Sequence, residues 1–76
     1  MIEEEILEDT IEHLDEEMKA ALSNISNIAT RVQRGELDAY EGFLETEKYN
    51  KIVLEIGNKL KEKGIDVTKI EEYQDF

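Results

Sequence analysis

From Leu7 onward the apolar side chains recur in alternating steps of four and three, at Leu7, Ile11, Leu14, Met18, Ala21, Ile25, Ile28 and Val32. That spacing is a heptad seam, with Ile11, Met18, Ile25 and Val32 at a positions and the other four at d. Leu22 and Ala29 widen the stripe at e, as a helix packed in a bundle requires. Ser23, Asn24, Ser26 and Asn27 are indifferent helix formers, yet the seam passes through them unbroken. One helix is expected from about residue 3 to 34. Arg31 and Arg34 favour the negative end of its dipole, and Gly35 can take the left-handed cap.

A second helix is expected to open near Glu36, with Leu37, Tyr40, Phe43 and Leu44 on one side. The apolar phase then breaks, because Tyr49, Ile52, Val53, Ile56 and Leu60 form a stripe that does not continue the earlier one. The break predicts a kink or short interruption near Glu45–Glu47, with Thr46 available as a cap. Lys59, Lys61 and Lys63 followed by Gly64 and Ile65 read as a Schellman stop. Thr68-Lys69-Ile70-Glu71 matches a capping box, which predicts a last short helix over 69–74, with Ile70 and Tyr73 packing back on the hairpin. Asp75 and Phe76 are expected to fray.

Composition supports an all-α reading, since the 76 residues include no proline and no cysteine. Without cysteine there is no disulfide and no thiolate metal site, and the single histidine, His13, is too few for a histidine zinc site. A single domain over 1–76 of this size is marginal, so association with a second chain is the expected support, giving a helical-bundle homodimer through the seam. The opening Ile2-Glu3-Glu4-Glu5 is the reverse of a basic secretory start, and no apolar run approaches a membrane span. A cytoplasmic protein with no membrane contact is expected.

Charge changes the picture most. Twenty acids face nine bases, for a net of -11, a balance that repels nucleic acid and attracts basic proteins. The charge lies in blocks. Residues 1–17 carry Glu3, Glu4, Glu5, Glu8, Asp9, Glu12, Asp15, Glu16 and Glu17 with no lysine or arginine. A second acid block follows at Glu36, Asp38, Glu41, Glu45 and Glu47, while 18–35 and 48–63 are net positive. In the heptad frame Glu8, Asp9, Glu12, Asp15 and Glu16 occupy the neighbouring e, b and f positions, an anionic stripe beside the apolar one. The helix dipole rewards acids only in the first turn. Glu4/Glu8, Glu5/Asp9, Glu8/Glu12 and Glu12/Glu16 are like-charge pairs four apart, each costing on the order of 0.2–0.5 kcal/mol in an isolated helix. On a continuous helix the block would carry one charge per about 2.8 Å, comparable to one per about 3.4 Å on a DNA strand. Selection for folding alone would have interspersed lysines.

Catalytic and metal chemistry find little footing. His13 has Asp9 and Glu17 one turn away, but Thr10 stands where a carboxylate–histidine metal motif needs glutamate. Asp38, Glu41 and Glu45 share a helix side without the loop ligands and glycine of a calcium site. Phosphate loops, nucleophile elbows and Ser/His/Asp sets do not occur. We therefore expect no enzyme activity, no cofactor and no metal.

In length, charge and helical character the chain resembles the small acidic DNA-mimic proteins that phages make to disable host factors, among them inhibitors of the bacterial nucleoid protein HU. The resemblance implies a homodimer whose acidic surface occupies the DNA-binding face of an HU-like host protein. The segments that map onto such a surface are Glu3 to Glu17 and Asp38 to Glu47, in particular Asp38, Glu41 and Glu45. The alternative is an adaptor that docks a partner helix through the heptad seam, its charge serving only solubility.

Overall fold

The computed structural model describes residues 10–75. They form two long helices, α1 (Ile11–Gln33) and α2 (Ala39–Glu62), followed by two 3-10 turns at Val67–Lys69 and Glu71–Gln74. The helices pack antiparallel as a hairpin. Among the described residues the fold is all-α, with no strand, and no helix is long and apolar enough to cross a membrane.

The seam of α1 folds inward as its spacing requires, burying Leu14, Met18, Ala21 and Ile28. Its counterpart on α2 runs through Gly42, Thr46, Tyr49, Val53, Ile56 and Leu60, each buried or half-buried. These six also alternate in steps of four and three, so the second helix has an unbroken heptad. Two of its members, Gly42 and Thr46, carry little or no apolar side chain. Counting large apolar residues therefore found Tyr49, Val53, Ile56 and Leu60 but missed the first two members, and counted Tyr40, Phe43 and Leu44, which are exposed, in their place. The expected kink near Glu45–Glu47 is accordingly absent, and α2 is one continuous helix of 24 residues.

Both glycine stops behave as expected. Gly35 and Gly64 have φ of 77° and 89°, the left-handed region that costs glycine nothing. At the first, the Glu36 amide donates to the Arg31 carbonyl at 2.9 Å and that of Gly35 to Val32 at 3.1 Å. At the second, Ile65 donates to Leu60 at 3.0 Å and Gly64 to Lys61 at 2.9 Å. Each pair is the full Schellman pattern.

The helix starts differ from expectation. Thr10 is extended (φ -71°, ψ 153°) and its side chain accepts from the His13 amide, so α1 begins at Ile11 instead of running from residue 3. The seam spacing extrapolates through a threonine that caps better than it continues a helix. Leu7, and with it Glu3, Glu4, Glu5, Glu8 and Asp9, lies outside the described residues. α2 starts at Ala39, not near Glu36, because the Asp38 carboxylate accepts from the Tyr40 amide at 3.0 Å.

The tail departs further. The capping residue is Asp66, which accepts from the Thr68 amide at 3.0 Å and from its hydroxyl at 2.6 Å. Thr68 thus donates where the capping-box reading needed an acceptor, and in place of a helix over 69–74 there are two 3-10 turns, Val67–Lys69 and Glu71–Gln74, separated by an extended Ile70. Of the two residues expected to bring the tail back, Tyr73 packs against the core of Leu14, Met18, Ile56 and Leu60, joined there by Ile65 and Val67 in place of Ile70.

Candidate functional site

The eight predicted seam residues lie as follows. Leu14, Met18, Ala21 and Ile28 are buried, Ile25 and Val32 half-buried, and Ile11 is exposed at the start of α1, with Leu7 outside the described residues. The buried four make their contacts inside one chain and present no free apolar surface to a second.

The acid residues separate into three groups. Glu12 and Glu16 are exposed on the face of α1 opposite the seam, four residues apart and thus one above the other. Asp15 turns toward the tail. Its carboxylate accepts from the Tyr73 hydroxyl at 2.5 Å and lies 3.3 Å from Lys19 Nζ, which in turn sits 3.0 Å from Glu72. The Tyr73 hydroxyl, and then Lys19, hold the Asp15 carboxyl below the ordinary carboxylate range. Burial first and Asp15 second push the Tyr73 phenol upward. Glu72 and Asp15 raise Lys19. Asp15 is therefore a clasp for the tail as well as a member of the stripe. Glu17 pairs with His13 Nε2 at 3.1 Å, both partly exposed, which accounts for the carboxylate near this histidine without a metal.

The third group stands at the other end of the hairpin. Asp38 is the cap of α2, and Glu41 lies in its first turn. Glu45 meets Lys48 at 3.5 Å. Glu41, Glu45, Arg31, Arg34 and Lys48 line one shallow depression, so this end is of mixed charge. Some 20 residues of α1, about 30 Å, separate it from Glu12. Among the described residues, Glu12 and Glu16 therefore stand apart from Asp38, Glu41 and Glu45, at opposite ends of the hairpin.

What it adds is the tail. Glu71, Glu72 and Asp75 are exposed, and the turn bearing the first two packs against α1, with Glu72 joining Glu12 and Asp15 around one recess. The sequence offered a weak signal for this in Tyr73 and none for Glu72 reaching Lys19, since the two stand 53 positions apart. Among the described residues no group of three or more histidine, aspartate or glutamate side chains is placed to hold a metal ion. No protein-family model, curated protein or solved structure matches this chain.

Proposed function

We propose that this protein is a DNA-mimicking inhibitor that binds a basic DNA-binding protein of the HU-like nucleoid kind and excludes DNA from it. It acts by association, without catalysis, cofactor or metal, in the cytoplasm. The observation that supports this is the exposure of Glu12 and Glu16 on α1, with the tail turn that carries Glu71 and Glu72 packed on the same helix, Glu72 sharing a recess with Glu12, and Lys19 held between Asp15 and Glu72. The acids Glu3, Glu4, Glu5, Glu8 and Asp9 precede this end directly in sequence. The adaptor alternative needs an open seam, and the seam is filled by α2.

A field of this kind speeds encounter with a cationic partner and weakens as salt screens it. The test is capture on an immobilised HU-like protein between ~50 and ~500 mM salt, with duplex DNA as competitor. Retention should fall steeply with salt, DNA should compete, and the triple reversal Glu8→Lys, Glu12→Lys, Glu16→Lys should abolish retention while leaving helicity intact. Retention that ignores salt, or survives the reversal, rules the proposal out.

A further inference from the structure

The face of α2 turned away from α1 carries a second heptad. Tyr40, Leu44, Glu47, Lys51, Leu54 and Asn58 follow one another in steps of four and three, and all six are exposed. Tyr40 and Leu54 are 68% and 67% exposed, with Phe43 at 58% and Leu44 at 43% beside them. Isolated surface leucines are ordinary. Here Tyr40, Leu44 and Leu54 share a heptad face with Glu47, Lys51 and Asn58, so apolar contacts flank a charged centre, and both kinds of position take part when such a helix pairs.

The order along this stripe is self-complementary. With Leu44, Lys51 and Asn58 at a, the d positions are Tyr40, Glu47 and Leu54. Antiparallel pairing sets each a position against a d position of the other helix. A two-fold axis midway between Glu47 and Lys51 then places Leu44 against Leu54 of the second copy, Glu47 against its Lys51, and Tyr40 against its Asn58. A parallel pair would set Glu47 against Glu47 and Lys51 against Lys51, so the central charges select the antiparallel arrangement. Lys48, on the rim, is already 3.5 Å from Glu45 and brings a neutralised pair to the edge.

We propose that this face binds a second copy of the same chain through antiparallel α2–α2 pairing, independently of any basic partner. The four exposed apolar side chains offer on the order of 400 Å² per chain, the size of a functional patch but below the ~800 Å² per partner of a standard interface. Association is therefore weak, in the micromolar range. Each chain carries -11, so added salt relieves the repulsion between copies and strengthens the pair. Binding to a cationic partner responds to salt in the opposite direction, so failure of one proposal is distinguishable from failure of the other.

Sedimentation equilibrium of the full chain from ~5 to ~500 µM, at low and high salt, tests this. A monomer–dimer equilibrium that tightens with salt is expected. Leu54→Lys should leave only monomer. Glu47→Lys and Lys51→Glu should each weaken association at least tenfold, and the two together should restore it to within about threefold, with circular dichroism confirming that every variant keeps its helices. A single-chain mass at all concentrations, a Leu54→Lys dimer as stable as the parent, or a double reversal that fails to restore pairing would each overturn the proposal.

Discussion

Gly42 and Gly57 both lie inside α2, and the same substitution should act on them with opposite sign. Alanine gains roughly 0.8–1.0 kcal/mol over glycine in a helix interior. At Gly57 a methyl would find Val67 Cγ2 at 3.8 Å and Met18 Cε at 4.0 Å, ordinary contacts. Gly57→Ala should therefore stabilise by about 0.5–1 kcal/mol, or roughly 3–6 °C for a domain of this size. At Gly42 the methyl would stand 2.6 Å from Val32 Cγ2, with Ile28 Cγ2 at 3.6 Å and Leu37 Cδ2 at 3.7 Å. Valine cannot swing aside, because its β-branch is confined to one rotamer in a helix. The helices must part there, at a cost of about 1–3 kcal/mol typical of overpacking. After the propensity gain, Gly42→Ala is left destabilised by about 0.5–2 kcal/mol. Val32→Ala removes the clashing methyl, so the double variant should be more stable than the two single losses added together. Urea denaturation followed by circular dichroism gives all four values. If Gly42→Ala is as stable as Gly57→Ala, or shows no coupling to Val32→Ala, the close crossing at Gly42 is wrong.

Two further tests address the core and the tail. Leu60 is 1% exposed and meets Leu14 and Met18; Leu60→Ala should cost about 2–5 kcal/mol, enough in so small a domain to lower the thermal midpoint by 10 °C or more, and a smaller drop in a thermal melt would place the core elsewhere. Tyr73→Phe keeps the ring and deletes the hydroxyl held by Asp15, which should cost about 1 kcal/mol near neutral pH, discounted from a buried charged hydrogen bond because Asp15 is partly exposed. The folded state lowers the Asp15 carboxyl from 3.8, so this contribution is present above that pH and fades as pH falls through the depressed value. Parent and variant stabilities should converge there. The folded state raises the Tyr73 phenol from 10.0, so the parent alone should also lose stability as pH climbs above that value. A gap unchanged across the acid range would refute the clasp.

The sequence made α1 legible because its seam consists of large apolar residues, and the Schellman stops at Gly35 and Gly64 because two glycines in the right place leave few alternatives. The register of α2 was legible from Tyr49 to Leu60 but hidden over its first half, since at Gly42 packing depends on a side chain being absent, and an absence does not register in a hydrophobic pattern. The same error turned the exposed Tyr40, Phe43 and Leu44 into expected core. Thr10 and Asp66 cap where seam extrapolation and a capping-box match pointed to other residues. The acid stripe was readable as a pattern, but its division was not. Asp15 is diverted to a tyrosine 58 positions away, a contact with no local signature.

The hairpin supplies a competing account of the charge blocks. Antiparallel packing lays the acidic start of α1 along the lysine-rich second half of α2, and the arginine end of α1 along the acidic first half of α2. Folding alone could select such alternation. It does not explain Glu12 and Glu16, which face away from α2 and repel each other at a spacing of four. Glu16→Lys separates the two accounts. It replaces that repulsion with a Glu–Lys pair in the favourable order, a gain of about 0.5 kcal/mol, reduced somewhat by Lys19 three residues on, itself held by Asp15 and Glu72. If Glu16 is kept for recognition, the variant should be as stable as the parent or slightly more so, by thermal melt, and bind a basic partner more weakly. If Glu16 instead serves the fold, the variant should melt lower. Greater stability joined to weaker capture is the signature of a charge retained against the interest of its own helix, and a lower melting point with unchanged capture would return the whole pattern to folding.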